Sequence, residues 1–131
     1  MKAVGRKELL ASSCWMNYEI IATRQFRSEA KRLSKKFPSL KDDLANLFEK
    51  LQVNPRTGAP LGNKTYKIRL AVKSKGTGRR GGLRVINHVL IQKTAEGKIY
   101  LLSIYDKSNT ASLSMKKIRE LVKIVYREMN L

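Results

Sequence analysis

The chain has one cysteine, one histidine, three prolines and few aromatic residues (7%) among its 131 positions. A lone Cys14 excludes an internal disulfide and, with His88 as the only histidine and the acids scattered, leaves no ligand set for a zinc-type site. The absence of disulfides suits a reducing compartment. No apolar run approaches the roughly 18 residues of a membrane span. The apolar stretch Leu9-Leu10-Ala11 is too short for a signal-peptide core, although Lys2, Arg6 and Lys7 surround it. A soluble, cytoplasmic protein is expected. Acidic residues are the most telling shortage. None occurs between Lys50 and Ala95, a span that holds eleven Lys and Arg.

What is present complements these gaps. The 28 Lys and Arg against 10 Asp and Glu give a net charge of +18. Such a field favours nucleic acid, an acidic protein or an anionic surface. A hydrophobic content of 42% is ample for a core, and the length fits one domain. Residues 1–16 have no clear period and read as an N-terminal extension, loose or forming a short extra helix. The domain proper is expected over 17–131.

Tyr18 to Ala22 is a short β-prone stretch, placed at a sheet edge. Phe26, Ala30, Leu33 and Phe37 follow helical spacing until Pro38. Ser39 suits the N-cap of a second helix, with Asp42 and Asp43 at the positive end of its dipole and Leu40, Leu44, Leu47 and Leu51 as its stripe. Asn54-Pro55 ends it, and the two helices should form a hairpin. A Gly/Pro-rich loop over 56–63 then leads to a β-meander: a strand over 65–73, a basic Gly-rich loop, a strand over 83–92, a turn at Ala95-Glu96-Gly97 and a strand from Lys98 to Tyr105. Ser112 or Ser114 caps a last helix with Met115, Ile118, Leu121 or Val122, Val125 and Met129 on its apolar side. The fold class is α+β: a small antiparallel sheet, order β-α-α-β-β-β-α, with helices over one face.

The strand from Tyr66 carries the chemistry. Tyr66, Ile68, Leu70 and Val72 alternate with Lys67, Arg69 and Lys73, so one face is greasy and the other cationic. A solvated basic face explains that pattern as well as a ligand does. On the next strand Arg84, Ile86 and His88 share a side; on the third, alternation groups Ile99, Leu101, Ser103 and Tyr105. If Arg84 and Tyr105 join Lys67 and Arg69, three cations and a phenol surround one point. Such a group could stabilise the charge that develops when a ribose 2′-hydroxyl attacks the neighbouring phosphorus. Asp106 and Lys107, beside Tyr105, are further candidates. Lys64, Lys73, Lys75, Arg79 and Arg80 would hold the RNA backbone. His88 lies about 13 Å along the strand from Arg84 and is favoured as a packed or rim residue. Gly76-x-Gly78 is a weak phosphate-loop signal, better read as a mobile basic loop.

Several ordered stretches resemble the RelE/ParE superfamily of toxins from type II toxin–antitoxin systems, and within it the HigB/RelE-like branch that includes phage-derived members. They are Phe37-Pro38-Ser39-Leu40-Lys41-Asp42-Asp43-Leu44, Leu51-x-x-Asn54-Pro55-x-x-Gly58, Lys67-Ile68-Arg69-Leu70, Lys73-Ser74-Lys75-Gly76-x-Gly78, Gly81-Gly82-x-Arg84-Val85-Ile86 and Tyr100-Leu101-Leu102-x-Ile104-Tyr105-Asp106-Lys107. They span about residues 18–125. The resemblance implies a microbial ribonuclease-like fold and metal-independent, ribosome-dependent mRNA cleavage without a cofactor. It also implies a cognate antitoxin, with a helix-turn-helix domain in many systems and, given the charge, an acidic segment. It points to Lys67, Arg69, Arg84 and Tyr105, with Asp106 and Lys107 second. The chain departs from the pattern in residues 1–16, which precede the usual start, and in Asn87-His88, where a Thr-Tyr-like pair is expected. The ParE-like branch poisons gyrase on the same fold, so fold alone does not choose the activity. A non-catalytic RNA-binding module is a third reading, weakened by the scarcity of aromatics for base stacking.

Overall fold

The computed structural model describes residues 17–75, 82–93, 96–108 and 112–128. The N-terminal extension over 1–16, the Gly-rich loop with Arg79 and Arg80, Ala95 of the expected turn and Met129 lie outside them. The described elements are β1 (Asn17–Ala22), α1 (Arg24–Lys36), α2 (Leu40–Val53), β2 (Ala59–Gly62), β3 (Thr65–Leu70), β4 (Leu83–Lys93), β5 (Glu96–Asp106) and α3 (Met115–Glu128).

Local chemistry sets the helix ends. Thr23 accepts a hydrogen bond from the Phe26 backbone (3.3 Å) and donates its own hydroxyl to the Leu101 carbonyl (2.8 Å). The residue that caps α1 therefore also ties it to β5. Phe37, extended ahead of Pro38, closes the helix (φ −121°, ψ 96°). Ser39 holds the N-cap position of α2 as expected, but with a right-handed helical backbone and without a capping bond from its side chain. Its hydroxyl donates to Asp43 (2.7 Å) and accepts from the Ser74 backbone (2.8 Å), which joins α2 to the start of the basic loop. Of the two candidate caps for α3, Ser114 does the work, accepting from Lys117 N at 3.1 Å. Ile118, Leu121, Val122 and Val125 are buried beneath α3, whereas Met115 is exposed rather than part of the stripe.

The sheet runs β1-β5-β4-β3-β2. β1 is an edge strand as expected, but it pairs with β5 in parallel, so the sheet is mostly rather than wholly antiparallel. Between the two, the α1–α2 hairpin carries the chain to the opposite edge of the sheet, from which β2, β3 and β4 return it to β5. The Gly/Pro content of 56–63 predicts a loop there, but Ala59–Gly62 forms strand β2. Asn63 and Lys64, with φ of 52° and 60°, form a two-residue turn that folds β2 back onto β3. The signal was Gly62-Asn63-Lys64-Thr65, a two-residue turn with Asn leading.

The helices also divide differently. α1 and α2 cover one face, packing Phe26, Leu33, Leu40 and Leu51 on Ile68, Val85, Ile99 and Leu101. α3 covers part of the other, packing on Ile86, Tyr100, Leu102 and Tyr105. Helices therefore lie on both faces rather than one. A long terminal helix with an apolar stripe must bury it, and the first face is already occupied.

Gly58 fixes where β2 leaves β3. Its φ is +106°, and a Cβ placed there would lie 2.5 Å from the Lys67 carbonyl oxygen. Gly58→Ala combines a left-handed backbone with a clash against main chain. It should cost more than about 1 kcal/mol and lower the melting temperature by several degrees. An unchanged melting curve would contradict this close approach.

Candidate functional site

Strand register decides which candidates meet. Arg69 of β3 is the direct partner of Arg84 in β4, and Arg84 is the direct partner of Tyr105 in β5. Three of the four leading candidates therefore form one row across three strands, with Cβ atoms of directly opposed residues about 5 Å apart. Lys67 lies two positions along β3 from Arg69 on the same face.

Tyr105 reaches this row only because β5 is irregular. Ile86 pairs with Ser103 but the next residue, Asn87, pairs with Leu101, which leaves one extra residue in β5. Ile99 and Leu101 consequently pack with α1 and α2, while Tyr105 packs on the α3 side. The simple alternation that grouped Ile99, Leu101, Ser103 and Tyr105 is thus incorrect, because the bulge reverses the parity between them. Glu29 stabilises the bulge from α1: one carboxylate oxygen accepts from the Ser103 hydroxyl (2.8 Å) and the Ile104 backbone (3.1 Å). Sequence reading missed this role. The signal was Glu29 as the sole acid in α1, among six cations.

Exposure sorts the row. Arg69 is exposed and Lys67 half-buried, whereas Arg84 and Tyr105 are only 4% and 6% exposed. Arg84 is therefore the floor of the site rather than its open face, and its Nη1 donates to the Leu83 carbonyl (3.3 Å). Burial and then the charge of Arg69 lower the Arg84 pKa, while Tyr105 works the other way. Burial raises the Tyr105 pKa against the opposing effects of a Leu113 backbone hydrogen bond and the nearby Arg84. Its phenol is thus protonated at neutral pH.

Asp106 and Lys75 form an ion pair instead of lining the row. Lys75 Nζ lies 2.6 Å from Asp106 Oδ1, with both side chains largely buried. Burial alone would raise the Asp106 pKa, but hydrogen bonds from Lys75 and Ser108 outweigh it and hold the carboxyl below its ordinary value. Asp106 is a poor proton donor for this reason, and Lys75 is engaged rather than free for a phosphate. The Lys75 ammonium also lies 5.5 Å from the centre of the Phe37 ring. With Ser74 held by Ser39, and Lys73 N donating to Asp43 (3.2 Å), the first residues of the supposedly mobile loop are pinned. Lys73 and Lys107 are exposed, and exposed Lys64 occupies the β2–β3 turn, toward the His88 end of β4.

His88 is fully buried, as the packed reading had it. Its Nδ1 lies 3.3 Å from the Thr65 hydroxyl and its Nε2 3.1 Å from the Tyr126 hydroxyl, which ties β3 and β4 to α3. Asn87 beside it is fully buried, and neither polar side-chain atom has a hydrogen-bond partner among the described residues. Among the described residues no group of three His, Cys, Asp or Glu could hold a metal ion, and no helix is long and apolar enough to cross a membrane.

No family model matches the chain. A solved structure of an E. coli RelE toxin mutant in the free state is similar to it with a TM-score of 0.48 at 13% identity, over 74% of this chain and 87% of that one.

The His88 environment has a pH consequence. Burial first, then the Lys64 ammonium, lowers the His88 pKa, against a backbone hydrogen bond at Asn63 that raises it. The unfolded chain gains the His88 proton as pH falls through about 6.5, and the folded protein only at lower pH. This contribution to stability is complete above about pH 6.5 and is lost as pH falls below it. Denaturant melts of His88→Gln between about pH 5 and 7 should show a flatter slope than wild type. An identical slope would exclude His88 as its source.

Proposed function

We propose that the chain is a toxin of the RelE type, acting as a metal-independent endoribonuclease on translated mRNA at the ribosome and belonging to the HigB-like branch. The observation that carries this reading is the pairing of Arg69 with Arg84. The two arginines occupy directly paired positions and the charge of Arg69 lowers the Arg84 pKa, so an anion against this face would relieve the crowding of positive charge. A phosphate fits that requirement, since guanidinium forks match its oxygens. The motif resemblance over residues 18–125 supplies the substrate.

In this reading Arg69 and Lys67 contact the scissile phosphate from the open side. Arg84 provides positive charge from the floor, where burial strengthens its field. Water takes the proton of the 2′-hydroxyl, whose oxygen bonds to phosphorus. Negative charge on the phosphorane oxygens is met by the cations, and the bond to the 5′-oxygen breaks. Tyr105, neutral at physiological pH, is suited to give its proton to that leaving oxygen. Lys107, Lys73 and Lys64, with Arg79 and Arg80, add backbone contacts. Asp106 acts through Lys75, holding the end of β5 to the basic loop. The partners are the ribosome, its mRNA and a cognate antitoxin.

Arg69→Ala offers the cleanest test because the side chain is exposed and its loss leaves no cavity. Cleavage of a translated message, read by primer extension, should fall by about two orders of magnitude, with a melting temperature close to wild type. Tyr105→Phe should slow cleavage more than it weakens ribosome binding. Growth arrest with intact mRNA and altered DNA supercoiling would overturn the nuclease reading in favour of gyrase poisoning.

A further inference from the structure

A cavity of about 500 Å³ lies where the first turns of α1 and the C-terminal half of α3 meet over β5. That volume suits a small molecule. Buried Leu102, Leu121 and Val125 form its apolar wall, and Ile124, 40% exposed, completes it. An exposed apolar side chain at a cavity gains from an occupant that covers it. The charges here run against the rest of the molecule. Among the described lining residues Glu29 and Glu128 face one cation, Arg24, in a chain of net charge +18. The groove between α2 and β3 has the reverse balance, with Lys50, Lys67, Arg69 and Lys73 around Asp43. Glu29 also has bonding capacity left. Its Oε1 carries both bonds to the β5 bulge, whereas Oε2 meets the Gln25 side-chain amide at 3.3 Å, a long bond. A carboxylate oxygen accepts more than one donor.

We propose that this cavity is a binding site for a small hydrophobic monocation, such as an arylalkylammonium. The apolar body fills the space between Leu102, Leu121, Ile124 and Val125, and the ammonium bonds Glu29 Oε2. Glu29 is half-buried, so salt screens this pairing less than it would at an open surface. Arg24 opposes the ligand's charge, but it is exposed and its effect is screened. The two carboxylates reject phosphates, and the apolar wall rejects a hydrated metal ion. Occupancy also reaches the sheet. A donor on Oε2 fixes the carboxylate whose other oxygen holds Ser103 and Ile104, and so favours the bulged form of β5. Any consequence for cleavage through Tyr105 rests on the proposed function; the binding itself does not.

The test titrates the full chain with phenethylammonium and follows backbone amide chemical shifts. Amides of Ser28, Glu29, Leu121 and Val125 should shift together and saturate with a Kd of about 1 mM or below. Phenethyl alcohol, which keeps the shape without the charge, should bind about tenfold more weakly, and phenylacetate more weakly still. Glu128→Gln should weaken phenethylammonium binding about threefold. Ile124→Trp fills the cavity from its exposed wall and should weaken binding at least about tenfold, with a melting temperature close to wild type. Exchange of the Ile104 amide should slow about fivefold at saturation. Shifts that never saturate, equal affinity for phenylacetate, full affinity in Ile124→Trp or an unchanged Ile104 exchange rate would each overturn the proposal. All of these readouts are independent of cleavage, so loss of the nuclease reading would not alter them.

Discussion

The candidate face depends on one extra residue in β5. Without the bulge between Leu101 and Ser103, Tyr105 would point toward α1 and α2, and the row beginning at Arg69 would end at Arg84. A bulge leaves backbone donors unpaired, and unpaired donors in a buried strand are costly. Glu29 takes the Ile104 N–H and the Ser103 hydroxyl together, so a helix on one side of the sheet sets the orientation of a phenol on the other. The anchor is itself positioned by Thr23, which ties the start of α1 to β5 through the Leu101 carbonyl.

Much of the architecture was legible in the sequence because it rests on periodicity. The leucine stripe of α2, the alternation of β3, the Pro38 break and the edge position of β1 follow from residue types at fixed spacing. What was not legible depended on interruptions of spacing or on contacts between distant residues. The β5 bulge leaves no signature in Leu101-Leu102-Ser103-Ile104, all of which are plausible strand residues. The β2–β3 turn was hidden by a Gly/Pro-rich surround. α3 was placed with the other helices because an apolar stripe states that a face is buried but not against which side of a sheet.

The candidate site was legible in its membership more than in its geometry. Lys67, Arg69, Arg84 and Tyr105 were selected from alternation and motif resemblance, and register aligns three of them directly. Burial then separates exposed Arg69 from Arg84 beneath it, a difference that residue type cannot encode. Asp106 and Lys75 are 31 positions apart, and only the fold reveals that they neutralise each other. The clasp of Ser39, Asp43 and Ser74 is equally invisible in sequence, since each serine has many roles open to it on surface loops.

The parallel pairing of β1 with β5 also bears on how the protein comes into being. Asn17 and Glu96 are partners although 79 positions separate them, so the first of the described strands docks against the last of them. Loop-closure entropy opposes such a contact until β5 is present, and pairings of this kind slow folding. As the chain emerges, α1 and α2 can form early, yet the carbonyl that Thr23 binds and the backbone that Glu29 caps belong to β5 and are not yet made. The bulge, and with it the orientation of Tyr105, therefore awaits synthesis of β5. A nascent chain cannot assemble the row while the greater part of β5 is still inside the ribosome that is making it.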